Sequence, residues 1–242
     1  MRAARVAVAA LSGALAAPAA AQELPALDDL LARHLEARGG REAWQAVRAF
    51  QVRGELDLQP GVRAPFVLTV ARPGRMRLEF TVGETTAVQA YDGEDAWLVF
   101  PFTGSDAVAD MPEDMRRQAV DQSDLEGPLM DPEAKGHRVT LLGRAAFEGR
   151  DCYELDVQLA NGERRHVFLD AETLLQAGAS GERGAGGPYE SVVSDYRDVQ
   201  GLKLPHRVEN RTSNGTQGVS IDSVTVNPAL DEDLFSRPAP ES

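Results

Sequence analysis

Near its start the chain carries a helical pattern of apolar positions. From Leu27 these positions recur every three or four residues, acidic residues stand where the first turn would begin, and Gly39-Gly40 ends the run. Such spacing predicts a helix with one apolar stripe, made of Leu27, Leu30, Leu31, His34 and Leu35. A second short helical turn follows around Trp44. We expect His34 to pack against the protein rather than bind a metal, because no Cys or His lies nearby.

From Phe50 onward apolar and polar positions alternate, and turn dipeptides separate the alternating runs. The clearest turn signal is Asn161-Gly162, which joins CYELDVQL to ERRHVFLD and predicts a β-hairpin. In the first of these runs one face is apolar (Tyr153, Leu155, Val157, Leu159) and the other more polar (Cys152, Glu154, Asp156, Gln158). The pattern predicts roughly 11 strands, about five before residue 103 and about six or more after residue 136. Alternation of this kind is typical of an antiparallel sheet with one apolar face.

The strand pattern stops in the central segment, residues 110–136. This segment reads DMPEDMRRQAVDQSDLEGPLMDPEAKG, and Asp110 with Glu113 resembles a capping box at the start of a helix. Met111 and Met115 lie on one side of that helix, and irregular chain follows around two prolines. The methionine stripe is either an ordinary core contact or a surface that repacks around different partners. A later glycine-rich run, GASGERGAGGP, lacks a phosphate-loop order, and we interpret it as a flexible connector.

The first residues have the features of an export signal. Arg2 and Arg5 precede an apolar run that is too short to span a bilayer, and Ala19-Ala20-Ala21 stands before Gln22. We therefore expect residues 1–21 to be a cleaved signal peptide. The only cysteine, Cys152, is far from the cleavage point and permits no internal disulfide. The remaining residues, 22–242, have the length and apolar content of a single domain.

Composition and motifs exclude several classes of function. A formal net charge of −13 disfavours nucleic acid or an anionic membrane surface as a partner. The four histidines and Cys152 are scattered without metal-ligand spacing, so no metal or cofactor is expected. No nucleophile motif is present either, although a Ser-His-Asp set could assemble across strands. We therefore expect a protein that is not an enzyme, and an unrecognised hydrolase remains the weakest alternative.

The stretch FVLTVARPGRMRLEF places an arginine at the end of an apolar row. Phe66, Leu68, Val70 and Arg72 share one face of a strand, and after the Pro73-Gly74 turn Met76, Leu78 and Phe80 continue it. Arg75 and Arg77 fall on the opposite, polar face. A buried guanidinium group without a partner is costly. Arg72 must therefore reach solvent at the rim, pair with an acid or a carbonyl group, or meet a ligand.

Several motifs together resemble the LolA/LolB-like periplasmic lipoprotein carriers and the wider group of outer-membrane lipoprotein-sorting proteins. VARPGRMRLEF is followed by YDGEDAWLVFPF, and the likeness extends through KGHRVTLLGRAAFEGRDCYELDV and VFLDAETLL to VNPALDEDLFSRP. It covers most of the chain from about Leu27 to Pro238. The resemblance implies an α+β fold: a strongly curved antiparallel sheet, an unclosed half-barrel, covered by helices that enclose an apolar cavity.

The resemblance also implies a function. Such a protein carries the acyl chains of lipoproteins or lipids through the periplasm, from an inner-membrane donor to an outer-membrane acceptor, as a monomer and without catalysis. Arg72 falls on the arginine that in the carriers faces the cavity and helps hold the lid, and residues 111–130 would belong to the lid. The expected cavity and lid residues are Arg72, Phe66, Leu68, Val70, Met76, Leu78, Phe80, Trp97, Met111, Met115, Leu129 and Met130. The same scaffold occurs in proteins that sense or bind envelope components, so a periplasmic sensor or scaffold is the alternative.

Overall fold

The computed structural model describes residues 23–59, 61–182 and 187–239. Two helices come first, α1 (Leu27–Ala37) and α2 (Arg41–Ala46). Five strands follow: β1 (Ala49–Gln59), β2 (Val62–Ala71), β3 (Arg75–Val82), β4 (Thr85–Tyr91) and β5 (Ala96–Val99). A 3-10 turn (Pro101–Thr103), β6 (Ala109–Asp110) and α3 (Glu113–Gln122) lead into the rest of the central segment. The last seven strands are β7 (Arg138–Phe147), β8 (Arg150–Gln158), β9 (Arg164–Asp170), β10 (Gln176–Glu182), β11 (Pro188–Val199), β12 (Leu202–Thr212) and β13 (Gly215–Val226).

All thirteen strands form one curved, open antiparallel sheet in the order β6-β5-β4-β3-β2-β1-β13-β12-β11-β10-β9-β8-β7. Strands that are consecutive in sequence pair with each other, except that β6 and β7 lie at the two edges of the sheet, and β1 pairs with β13 at its centre. That pairing joins the two halves of the sheet. The predicted α+β sheet is confirmed, and so is the hairpin at Asn161-Gly162, which joins β8 to β9.

The sheet has two more strands than the alternation predicted. One is β6, whose two residues are too few to show a period. The other difference lies in the glycine-rich run, because β10 continues through Gly178 to Glu182 and is not a connector there. A Cβ atom on Gly178 would lie 2.4 Å from the Phe147 ring and 2.3 Å from the Ser191 carbonyl oxygen. Glycine at position 178 thus allows this close packing. Because glycine has no side chain, β10 shows no alternation of apolar and polar residues in the sequence.

Helices α1 and α2 and the central segment all pack on one face of the sheet, here called the inner face. The α1 stripe, with Leu30 fully buried, covers Leu155, Val157 and Leu169 in the second half of the sheet. Trp44 of α2 packs near the middle, against Phe50 and Leu202. The predicted capping box is wrong: α3 begins after Pro112 without a side-chain cap, and Asp110 instead forms an ion pair with Arg237.

The opposite, outer face is not uniformly polar. The C-terminal segment, residues 228–239, covers the first strands there and buries Phe235 against Ala49 and Ala71. The prediction that Arg77 faces water is wrong, because its guanidinium group donates to the Leu234 carbonyl oxygen at 3.1 Å and its side chain is only 20% exposed. In the other half of the sheet Cys152 is fully buried in a second apolar cluster.

The expected signal peptide, residues 1–21, lies outside the described residues. Within the described ranges no helix is both long enough and apolar enough to cross a membrane.

Candidate functional site

The predicted apolar row forms on the inner face of β2 and β3. Phe66 pairs with Phe80, Leu68 with Leu78, and Val70 with Met76. Cross-strand partners point to the same face, so these six side chains form a continuous apolar strip. Helix α3 covers one end of that strip.

At the covered end, Val70 and Met76 pack against Met111 and Ala119 of the central segment. Met115 lies at the edge of the same cluster. Met76 is 1% exposed and Val70 is 6% exposed, so here the protein's own side chains occupy the inner face. The structure thus brings six predicted site residues together in one cluster: Leu68, Val70, Met76, Leu78, Met111 and Met115.

At the other end of the strip, aromatic side chains pack on Phe80 in the way that α3 packs on the covered end. Phe80 stacks on Phe102 with ring centroids 5.9 Å apart, and Phe100 packs edge-on against Phe102 at 5.2 Å. Phe102 is nevertheless 41% exposed. The strip therefore continues beyond α3 into a partly exposed aromatic cluster.

Trp97 does not join this group. It pairs with Ala90, which in turn pairs with Arg77, and this parity places Trp97 on the outer face. Its indole Nε1 donates to the Phe235 carbonyl oxygen at 3.0 Å. Trp97 is therefore a contact of the C-terminal segment, and its predicted place in the cavity is wrong.

Beyond α3 the central segment crosses to the second half of the sheet. Leu129 packs with Leu30 and Leu155, whereas Met130 packs with Trp44 and Phe50. The two residues thus contact different clusters. Together with Met111 they make the central segment a single cover that bridges both halves of the inner face.

Arg72 holds this cover to the sheet. Its Nε donates to the Val47 carbonyl oxygen at 2.8 Å, and its Nη2 donates to the Trp44 carbonyl oxygen at 3.4 Å and to the Glu126 carboxylate. Of the alternatives that the sequence left open, the structure thus shows pairing with carbonyl groups and an acid. The side chain remains 40% exposed, so a part of it is still accessible.

Two further cations hold the same loop, and together with Arg72 and Glu126 they form what we call the latch. Arg38 Nη1 donates to the Glu126 backbone oxygen at 2.6 Å. Lys135 Nζ lies 3.3 Å from Glu126 Oε2 and 2.7 Å from Asp124 Oδ1. Sequence reasoning missed Arg38, Glu126 and Lys135, because no local pattern signals contacts between such distant positions.

Burial lowers the pKa of two basic residues beneath the cover, Arg38 and His34. Arg38 stacks 4.0 Å from the Trp44 ring centroid, and burial lowers its pKa. Burial also lowers the pKa of His34 to about 4. His34 is therefore neutral near pH 7, and its Nδ1 donates to the Leu174 carbonyl oxygen at 2.7 Å. The expectation that His34 is a packed residue is confirmed.

Three clefts border the loop that carries Glu126. One of about 550 Å³ lies between Gly74, α3 and the β8–β9 turn. A second of about 640 Å³ lies between α1 and residues 129–134, and a third of about 230 Å³ lies between α1, the loop and β11–β12. All three are partly open to solvent. The enclosed cavity that the resemblance implies is not shown, but the loop has unfilled space on several sides.

Within the described parts of the chain, no three His, Cys, Asp or Glu side chains form a group that could hold a metal ion. The ionisable residues of the latch are engaged with one another and with backbone oxygens. This arrangement fixes the position of a loop.

No protein-family model matches the chain, and no curated protein matches it. Solved structures do match. A LolA superfamily protein from Nitrosomonas europaea has a TM-score of 0.62 at 12% identity, over 88% of this chain and 99% of that one. A putative outer membrane lipoprotein-sorting protein domain from Vibrio parahaemolyticus has a TM-score of 0.57 at 15% identity, over 87% and 97%. A DUF1329 family protein from Desulfovibrio piger has a TM-score of 0.59 at 11% identity, over 87% and 97%. The chain thus has a LolA-like fold.

Proposed function

We propose that this LolA-like chain is an exported, non-catalytic carrier that binds the acyl chains of a lipoprotein or lipid between the inner face of its sheet and the central segment. The observation that carries the proposal is the cover itself. A segment with adaptable methionines lies over an apolar strip, is held by a polar latch, and has clefts around it.

The physical need for such a cover is simple. An acyl chain exposes many methylene groups, and each one costs about 0.8 kcal/mol in water. Moving the central segment would expose Val70, Met76 and Leu78 to the acyl chain, and the methionines of the segment would repack around it. The cluster that fills the inner face would then become part of the binding site.

The latch suits reversible opening. Its strongest contacts are charge-assisted hydrogen bonds at one loop, to Glu126. Bonds of this kind are directional and are lost together when the loop shifts. A change of a few ångströms at Glu126 would therefore release the cover from Arg38 and Arg72 at once.

The proposal includes the cellular setting. The LolA-like fold and the signal-peptide pattern of residues 1–21 support a periplasmic protein. In that setting the chain, as a monomer, would receive its cargo from an inner-membrane donor and pass it to an outer-membrane acceptor. The net charge of −13 disfavours direct adsorption to anionic lipid, which supports transfer through protein partners.

A disulfide that locks the cover tests this function. A Cβ atom on Gly74, in the β2–β3 turn, would lie 3.6 Å from Ser123 Oγ at the end of α3, within reach of a disulfide between cysteines at these positions. In the oxidised Gly74→Cys/Ser123→Cys protein we expect uptake of a fluorescent fatty acid to fall about tenfold, and reduction should restore it.

The two single-cysteine variants control for this experiment. Gly74 has φ +50°, so Gly74→Cys alone measures the strain of a side chain there, and Ser123→Cys alone measures the loss of the hydroxyl group. Both should bind fatty acid equally with and without reductant. Equal uptake by the oxidised and reduced double variant would refute the carrier proposal.

A second function is favoured by one observation. The inner face is filled by Met76, Met111 and Ala119, as expected of a sensor or scaffold that recognises an envelope protein or lipid without transporting it. In that case the locked variant would retain its partner in a pull-down from periplasmic extract and would show no change in fatty-acid uptake.

A further inference from the structure

A separate cleft of about 630 Å³ opens where β1 and β3 begin and β2 and β13 end. The C-terminal segment forms one wall, through residues 228–230, and Asn227 secures the base. The Asn227 side-chain oxygen accepts a hydrogen bond from the Arg48 backbone N–H at 2.6 Å, and its Nδ2 donates to the Ala46 carbonyl oxygen at 3.1 Å. The cleft is therefore built from fixed backbone.

The charge of this cleft is opposite to that of the whole chain. Three arginines line it, Arg48, Arg72 and Arg75, and its described lining includes no acidic residue. The chain as a whole carries 38 acidic and 25 basic residues. A cleft with several arginines and no carboxylate is therefore a local departure from the prevailing charge.

Two of these arginines have no carboxylate partner. Among the described residues, the Arg48 side chain forms no hydrogen bond or ion pair and is exposed. Arg75 donates one hydrogen bond, from Nη2 to the Arg72 carbonyl oxygen at 2.9 Å, and its Nε is buried without a partner. Its guanidinium group lies 4.9 Å from the Phe235 ring centroid, which holds it in place.

Two other arginines on this side of the sheet are paired with carboxylates. Arg77 forms an ion pair with Glu79 at 2.6 Å, and Arg237 forms ion pairs with Asp95 at 2.7 Å and with Asp110. Carboxylates are thus available on this face, yet none is among the described residues that line the cleft. Leaving two guanidinium groups without an anion in a concave site favours an external anion there.

We propose that this cleft binds a phosphate group. A guanidinium group presents paired N–H donors that match the oxygens of phosphate, and two such groups offset the charge of about −2 on a phosphate monoester. The apolar side chains of Pro228 and Leu230 beside the arginines leave room for an organic substituent. The site lies at the outer side of the Arg72-Pro73 corner and does not depend on acyl-chain binding at the inner face.

Calorimetric titration of the purified protein at low ionic strength tests the site. The probes are inorganic phosphate and a short-chain phosphatidic acid below its micelle concentration. We expect saturable binding of at least one probe, weakened about tenfold by Arg48→Ala. Because the Arg48 side chain is exposed and forms no hydrogen bond or ion pair among the described residues, this variant should fold normally. Arg75→Ala should weaken binding similarly, provided that its circular dichroism spectrum is unchanged.

Arg53→Ala is the matched control. Arg53 is exposed on β1, outside the cleft, and among the described residues its guanidinium group donates only to Gln51, so this variant removes one positive charge without touching the site. Its affinity should equal that of the wild type. Similar binding of both probes would identify free phosphate as a sufficient ligand, and binding of phosphatidic acid alone, lost in Arg48→Ala, would identify a lipid-borne phosphate. No saturable binding of either probe, or equal weakening by Arg53→Ala and Arg48→Ala, would overturn the proposal.

Discussion

At the residue scale, Arg72 is the point where the sheet meets its cover. It ends the apolar strip of β2, and carbonyl oxygens from the α2 region and the Glu126 carboxylate surround its guanidinium group. Glu126 is buried, with 11% of its side chain exposed. A buried carboxylate needs compensating donors, so Arg72 stabilises the closed position of the loop as well as its own strand end.

Replacing Arg72 by leucine should loosen the cover. In Arg72→Leu we expect release of bound fatty acid to accelerate about tenfold, because the Glu126 carboxylate loses Arg72 and keeps only Lys135. The free energy of unfolding should fall by roughly 1–3 kcal/mol, since two backbone oxygens also lose a donor. Stopped-flow release and urea unfolding measure the two effects. Arg77→Leu, on the outer face, is the control, and an unchanged release rate in Arg72→Leu would contradict the role of the latch.

His34 should make stability depend on pH. Burial lowers its pKa from the usual 6.5 to about 4 in the folded protein, so the unfolded chain binds the proton more tightly. The contribution is fully present above about pH 6.5 and is lost as the pH falls towards 4. The loss should approach roughly 3 kcal/mol. Urea unfolding near pH 7 and near pH 4.5 should show a larger difference for the wild type than for His34→Gln. Equal differences would disprove this assignment.

Whether the sequence alone predicts a contact depends on how many positions along the chain separate the two residues. Strand parity placed Val70, Met76 and Arg72 on one face, because alternation is a local property. The partner of Arg72 is Glu126, 54 positions away. Only the folded chain brings that loop to β2, so neither the latch nor the outer position of Trp97 could be predicted from the local pattern.

At the scale of elements, two segments that lie outside the main sheet cover its two faces. The central segment covers the inner face and the C-terminal segment covers the outer face of the first strands. The two segments are linked, since Arg237 of the C-terminal segment pairs with Asp110 at the start of the central one. The alternation predicted most strands and the β8–β9 hairpin, but it could not show β6 or the glycine-rich β10. It also gave no sign that the C-terminal segment covers Arg77.

The C-terminal segment should contribute strongly to stability through one side chain. Phe235 is 2% exposed and packs against Ala49 and Ala71. We expect Phe235→Ala to lower the free energy of unfolding by about 3–5 kcal/mol, measured by urea denaturation. Leu142→Ala is the control, because Leu142 is 49% exposed and its loss should cost less than about 0.5 kcal/mol. Equal effects of the two variants would mean that the segment is not a structural part of the domain.

At the scale of the whole molecule, the fold is a single open sheet whose halves meet at the β1–β13 pair. The turn signals in the sequence predict which consecutive strands pair as hairpins. They do not predict the central pairing, which joins strands from opposite ends of the chain. The resemblance of several motifs implied a curved, unclosed antiparallel sheet but not this central pairing, and the matching structures confirm the LolA-like fold. The same architecture places the central segment at the midpoint of the chain and over both halves of the inner face, and in the proposed carrier one movement of it would uncover both halves.

The most direct test of the account is to ask what the protein carries. The protein should be purified from the periplasm of its host without detergent, extracted with organic solvent and analysed by mass spectrometry. The account predicts acyl lipid or a lipid-modified peptide in the extract, and predicts less of it from Arg72→Leu than from Arg77→Leu, because an unlatched cover releases its cargo. Absence of any acyl species from the wild-type extract, together with failure of the delipidated protein to bind a fluorescent fatty acid, would contradict the carrier function.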